Sequence, residues 1–393
     1  MLVSKSKVLI LTEKYGNGHI QVAKTLENEC KKMGFKQVVV SELYKESHPL
    51  ISKITKHLYI KSFSYGKRFY KIFYYGIDKM YNKRFMNLYY TLGQKKLKEL
   101  IQTEKPDMII NTFPMMVVPE YRNKTGEVIP TFNVVTDFCL HKIWVHQHID
   151  KYYVASENVK EKLVELGVSQ NQVKITGIPI REQFEMANVK KEEVYQKYNL
   201  DPNKEIVLIM AGAHGVLKNV KYICESFVNQ ENLQVVIVCG NNTALMRKLE
   251  PFAVAHPKTI IPLGYVEKVD ELFRIASCMI TKPGGITLSE ATALGVPVIL
   301  YKPVPGQEQE NALYFEEKRS AMIVNDYNEM KEVVIELLNN KKTLKEMKEN
   351  IKQMHYPNSA RAVLEDMIGE VFKQDVTERS RAKKAVKMRV GMS

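Results

Sequence analysis

At 393 residues the chain is longer than one hydrophobic core usually grows (about 250–300 residues), so two domains are expected. An apolar share of 45% suits a globular chain, and a net charge of +14 points to an anionic partner: nucleic acid, anionic lipid or a phosphorylated substrate. The five cysteines, Cys30, Cys139, Cys224, Cys239 and Cys278, are scattered and odd in number, which argues for reduced core thiols and against a disulfide frame or a paired-cysteine metal site.

The first apolar run, Val8-Leu9-Ile10-Leu11, is too short for a signal peptide, which needs roughly 7–15 apolar residues. No window approaches the roughly 18 apolar residues of a spanning helix, so the expected protein is soluble or rests on a membrane surface. Residues 8–12 predict a buried strand, followed by a loop carrying Gly16 and Gly18. A helix then runs from His19 with Ile20, Ala23, Leu26, Cys30 and Met33 on one face, stopping at Gly34. Residues 37–41 predict the next strand, and this β-turn-α-β opening belongs to a parallel α/β sheet.

Residues 53–96 break the rhythm: eleven Lys and Arg stand against the single acid Asp78, interleaved with aromatics. Lys67, Arg68, Phe69, Tyr70, Lys71, Phe73, Tyr74, Tyr75, Lys83 and Arg84 suit a lipid headgroup boundary, where amphipathic rings and lysine stems sit side by side. The competing reading is a helix pair that packs its rings on the sheet. Stacking on single-stranded nucleic acid uses the same residue types, but no RNA-binding signature accompanies them.

Strands follow at 108–112, 131–135, 152–155 and 174–176, with a helix over 157–166. Residues 1–180 are therefore expected to form a first α/β domain. Residues 181–204 are a charged linker, and 205–357 repeat the βα rhythm. A helix at 358–374 is expected to cross back to the first domain, and the basic tail 375–393 is expected to be mobile. In the second half, strands at 206–210, 233–239 and 260–263 run into Gly212-Ala213-His214-Gly215, Gly240 and Gly264-Tyr265 respectively.

The organising stretch is 282–311. A strand at 278–281 leads into Pro283-Gly284-Gly285, and Thr287 to Glu290 open a helix. A glycine turn at a helix N-terminus is a phosphate site, because free N–H groups and the helix dipole favour anionic oxygens. Glu290, one turn in, is placed to accept hydrogen bonds from a ribose, and Gln307, Glu308 and Asn311 to read hydroxyls further along the same ligand. This describes a nucleotide-sugar pocket.

The first glycine loop ends on His19, at a helix N-terminus whose positive end keeps an imidazole neutral and able to take a proton; capping or phosphate contact is the alternative. GNGHIQ lacks the third glycine of a dinucleotide fingerprint, although Glu42 imitates the ribose acid of a dehydrogenase. Asp137, His141, Trp144 and His146 follow a strand end and suggest an acceptor site, with Asp137 a second candidate base and core packing the alternative for Trp144. Zinc through His141, His146 and His148 matches no HExxH spacing. His214 divides between phosphate contact and loop support. The chain contains no Asp-x-Asp pair, the usual clamp for Mg²⁺–diphosphate, so N–H groups and side chains are expected to meet the leaving-group charge.

The ordered series GNGH, FPM, TDFCLHKIW, TGIPI, MAGAHG, LGY, TKPGGITLSEA, PVPGQEQENA and YFEEK resembles the diacylglycerol glycosyltransferases over about residues 7–366. That family groups the processive β-glucosyltransferases of Gram-positive bacteria with plant monogalactosyldiacylglycerol synthases and, more distantly, the N-acetylglucosaminyltransferase of lipid II. The resemblance implies a glycosyltransferase B-type fold of two Rossmann-like domains facing across a cleft. It also implies anomeric inversion, no metal or other cofactor, and a peripheral place on the cytoplasmic side of the cell membrane. It places His19 at the family's glycine-loop histidine, Gly285 to Glu290 on its diphosphate and ribose segment, and Gly264-Tyr265 beside the uracil. Gln307-Glu308 matches the glycolipid branch, against N-acetylglucosamine but without separating glucose from galactose.

The expected reaction moves glucose from UDP-glucose to diacylglycerol and then to glucosyl-diacylglycerol, with anionic lipid and not nucleic acid as the further partner. A galactosyl or N-acetylglucosaminyl transferase would differ in the donor it uses. A UDP-sugar 2-epimerase would need no lipid, and a UDP-glucose sensor would release no UDP.

Overall fold

The computed structural model describes residues 6–14, 16–54, 92–186, 189–211, 217 and 219–372. The first sheet has the order β2-β1-β3-β4-β5-β6. Its strands are β1 (Lys7–Thr12), β2 (Gln37–Glu42), β3 (Met108–Asn111), β4 (Thr131–Val134), β5 (Lys151–Val154) and β6 (Val173–Ile175). The second has the order β12-β11-β10-β7-β8-β9. It is built from β7 (Glu205–Met210), β8 (Leu233–Val238), β9 (Ile260–Leu263), β10 (Cys278–Thr281), β11 (Val298–Tyr301) and β12 (Ala321–Val324).

All recorded pairings are parallel, and the central strands are buried on both faces, which is why they read as unbroken apolar runs. Leu9, Ile10 and Leu11 of β1 and Val207, Leu208 and Ile209 of β7 have no exposed surface. Burying a side chain of this size contributes about 1.5–3 kcal/mol.

Each order reverses once among strands that began their lobe: between β1 and β3 in the first, and between β7 and β10 in the second. In open α/β sheets a crevice for ligands forms beyond the strand ends at such a switch point. The loops there are the segments after β1 and β10 that hold Gly16, Gly18, Gly284 and Gly285.

The lobes touch. Phe138 sits edge-on to Phe315 at 4.8 Å and stacks on Tyr314 at 5.8 Å, and one apolar cluster includes Ile10 and Leu208 together. The helix over 359–372 lies against the first sheet. Its Asp366 accepts from Lys151, Lys174 and the Tyr153 hydroxyl, and Val363, Leu364 and Met367 are buried. The chain returns past Gly177, whose φ of +72° favours glycine and where an added Cβ would lie 2.8 Å from the Cβ of Tyr356.

Candidate active site

Two helix N-termini meet at the cleft. Helix Gly18–Lys32 begins at the end of the first glycine loop, and helix Gly285–Leu294 begins one residue after exposed Gly284. A Cβ on Gly18 would stand 3.4 Å from Ile286, so the first turns of the two helices are in near contact. Gly16 has a φ of +129° and open space around it.

His19 is held by its Nδ1, which lies 2.7 Å from the Thr112 carbonyl oxygen and 2.9 Å from Thr136 Oγ1. A carbonyl only accepts, so Nδ1 carries the hydrogen and Nε2 keeps its lone pair. The ring packs edge-on against Phe113 at 5.1 Å, and burial pushes its pKa down to about 4. The imidazole is therefore neutral at physiological pH, with one defined basic nitrogen.

Asp137 is linked to His19 through the Thr136 hydroxyl, which lies 2.9 Å from His19 Nδ1 and donates to Asp137 Oδ2 at 3.5 Å. Its carboxylate crosses to the opposite lobe, where it accepts from the backbone N–H of Gly285, from the Gln307 side chain and, at 3.2 Å, from Asn311 Nδ2. Asn311 is fully buried and closes the clamp: its Nδ2 also donates to the Pro283 carbonyl at 3.0 Å, while its Oδ1 accepts from Phe138 N at 3.0 Å. Burial raises the pKa of Asp137 to about 6 against these hydrogen bonds. An anion thus already occupies the helix end that the sequence marks as a phosphate seat, as free N–H groups and the helix dipole favour. Contact here is close: a Cβ on Gly285 would fall 2.1 Å from the Thr136 carbonyl oxygen and 2.9 Å from Asp137 Oδ1.

The remaining candidates are placed as follows. Glu290 is 3% exposed and paired with Arg181 at 2.8 Å; burial raises its pKa to about 7. Glu308 accepts from Val304 N at 3.1 Å and lies 3.6 Å from Lys282 Nζ. Gly240 N donates to the Gly264 carbonyl at 3.2 Å, tying two loop ends of the second sheet together beside Tyr265, which is 71% exposed. Thr287 is half-buried in the first turn of its helix. His141 caps the short turn Lys142–Trp144 by accepting from Ile143 N. Trp144 departs from the acceptor-site expectation: at 5% exposure it packs with Val135, Ile149 and Tyr152, and its carbonyl accepts from Asn133. The wide apolar ring has its larger gain in the core.

Gly212, His214 and Gly215 lie outside the described residues. So do Lys67, Arg68, Phe69, Tyr70, Lys71, Phe73, Tyr74, Tyr75, Lys83 and Arg84, and the tail beyond residue 372. Sequence reasoning missed Thr112, Thr136 and Arg181. The first two act through a backbone carbonyl and a short hydroxyl that carry no motif. Arg181 follows the TGIPI run directly, which was its only signal.

The two switch-point crevices, facing each other with a helix end apiece, define a glycosyltransferase of B-type fold. Residues 19–180 match the family described as monogalactosyldiacylglycerol (MGDG) synthase, and 190–354 match glycosyl transferases group 1. The chain is 61% identical over 365 residues to the processive diacylglycerol β-glucosyltransferase of Bacillus licheniformis, covering 93% of this chain and 95% of that protein. In three dimensions it is similar to MurG of Acinetobacter baumannii, with a TM-score of 0.61 at 14% identity, covering 93% of this chain and 99% of the other. It is also similar to the UDP complex of MnaA from S. aureus, with a TM-score of 0.60 at 16% identity and coverages of 91% and 95%. The chain belongs to the family of processive diacylglycerol β-glucosyltransferases.

Proposed function

We propose that the chain binds UDP-glucose across the two helix ends and passes the glucose, with inversion, to the 3-hydroxyl of diacylglycerol and then to the product's own sugar. It is a hexosyltransferase that makes glucosyl-diacylglycerol, as its family membership indicates. The observation that carries the donor site is the Asp137 carboxylate on the N-terminus of helix Gly285–Leu294: the seat holds an anion. The diphosphate takes that place and sends Asp137 back towards the first lobe. Thr287 and the N–H of Gly285 then face the charge that grows on the leaving UDP, so the protein itself takes the part a metal plays elsewhere.

His19 is the proton acceptor. The acceptor hydroxyl becomes acidic as its oxygen bonds to the anomeric carbon, through a transition state with oxocarbenium character, so a weakly basic Nε2 suffices. Asp137, engaged by the helix end and joined to the His19 ring only through the Thr136 hydroxyl, is left with the seat-holding role. Glu290 takes the ribose, Gln307 and Glu308 the sugar, and the uracil lies beside Gly264-Tyr265.

No helix among the described residues is long and apolar enough to cross a membrane. The net charge of +14 and the lysine–aromatic segment support a peripheral place on anionic lipid, where the acceptor is dissolved. Incubating labelled UDP-glucose with the protein and diacylglycerol vesicles, with and without EDTA, tests the reading. Mono- and diglucosyl lipid in both samples is the expected chromatogram. Label in no lipid, or only with galactose or N-acetylglucosamine donors, contradicts the donor assignment, and loss in EDTA contradicts metal independence.

A further inference from the structure

Glu290 sits in the helix that holds the anion seat, yet the group that governs it comes from elsewhere. Arg181 belongs to the segment that leaves the first lobe after β6, 109 positions away in sequence. Its Nε and Nη2 both lie 2.8 Å from Glu290 Oε1, and its guanidinium rests over the Phe184 ring at 4.9 Å, which fixes the plane of the fork. Both contacts fall on the same oxygen. Among the described residues no donor is recorded on Oε2.

Burial works against the ionised form of Glu290, nearby Asp270 adds to that, and only the charge and hydrogen bonds of Arg181 oppose it. Arg181 holds the pKa of the carboxyl down to about 7, and without the guanidinium it would rise further. A ribose offers two adjacent O–H donors, and these bind an ionised carboxylate far better than a neutral acid.

We infer that Arg181 is a positioning residue for nucleotide recognition: its fork on Oε1 turns Glu290 so that Oε2 accepts from the ribose diol. This rests on the reading of Glu290 as the ribose acceptor within the UDP-glucose site. Because Arg181 stands on the connection between lobes, ribose recognition depends on the linker taking up its packed position, with Phe184 edge-on to Phe273 and Arg181 on helix Gly285–Leu294.

The test is calorimetric titration of the full chain with UDP and with 2′,3′-dideoxy-UDP, which lacks both hydroxyls. Wild type is expected to prefer UDP by about 10- to 100-fold, the worth of hydrogen bonds to a charged acceptor. In Arg181→Met that preference collapses to within about threefold of unity, while affinity for the dideoxy analogue changes by less than about threefold. Arg181→Gln, which keeps a donor and the packing, carries the same expectation should the Met variant fail to fold. Arg181→Lys, which keeps the charge, restores most of the preference. A purely structural role, or direct contact of Arg181 with phosphate, weakens both ligands alike and leaves the ratio intact, which overturns the inference. A wild-type ratio near unity overturns it as well, because Glu290 then reads no ribose. Absence of UDP binding by wild type is a distinct result that sinks the nucleotide reading itself.

Discussion

Replacing Gly285 with alanine probes the place where the lobes come closest. The residue has an ordinary helical backbone, so the added methyl costs nothing in conformation and acts only through its neighbours. It would stand 2.1 Å from the Thr136 carbonyl oxygen, a backbone atom that cannot swing aside as a side chain would. Ordinary van der Waals contact begins at 3.4 Å, so the first lobe must retreat by about 1 Å. Thr136 also bonds to His19, so the retreat carries the proton acceptor away from the anomeric carbon. A misplacement of about 1 Å at a reacting centre costs about 100-fold, or about 2.7 kcal/mol of barrier. The assay is UDP release on diacylglycerol vesicles, with a thermal melt and circular dichroism to establish the fold. A 100-fold fall in kcat/KM with an unchanged circular dichroism spectrum is expected. Activity within threefold of wild type would refute the claim that the active form has the lobes closed on Gly285.

His19→Ala is expected to lower turnover by about 10²–10⁴ while sparing UDP affinity, and unchanged turnover removes it as the base. Neutralising Lys67, Arg68, Lys71, Lys83 and Arg84 together is expected to weaken binding to anionic vesicles by about 1 kcal/mol per charge in a flotation assay; equal binding gives those residues to the core. Thermal stability is expected to rise as pH falls from 8 to 6.5. Glu13 and Glu290 both have folded pKa values raised by burial from 4.5 to about 7, so the folded state binds more protons in that window. His19, shifted downward, acts only below its unfolded value of 6.5. Glu13→Gln should remove part of the slope, and a midpoint that falls on acidification contradicts the assignment.

The central strands and both glycine turns were legible because a strand buried on two faces has to be apolar throughout, and a glycine turn at its end is conspicuous. Strand β12, Ala321–Val324, was not read: it is four residues long, at the sheet edge, with two of them half-exposed. Helix Thr243–Ala255 was also missed, since Leu249 is its one fully buried residue and Pro251 interrupts its pattern. At the site, residue types were visible and partnerships were not. Asp137 read as a second candidate base past a strand end, and the sequence does not show that its carboxylate spans to a helix end of the other lobe while the Thr136 hydroxyl links it to His19. The Arg181–Glu290 pair likewise exists only once the lobes are assembled. Trp144 read as an acceptor contact because its loop lies past a strand end, and local spacing does not show that the ring turns inward.

A structure with UDP bound tests the central claim most directly. The diphosphate is expected against the N–H of Gly285 and the Thr287 hydroxyl, with the Asp137 carboxylate displaced from the helix end and His19 facing the open side of the diphosphate. A nucleotide bound elsewhere, or a diphosphate that leaves Asp137 on Gly285, would contradict it.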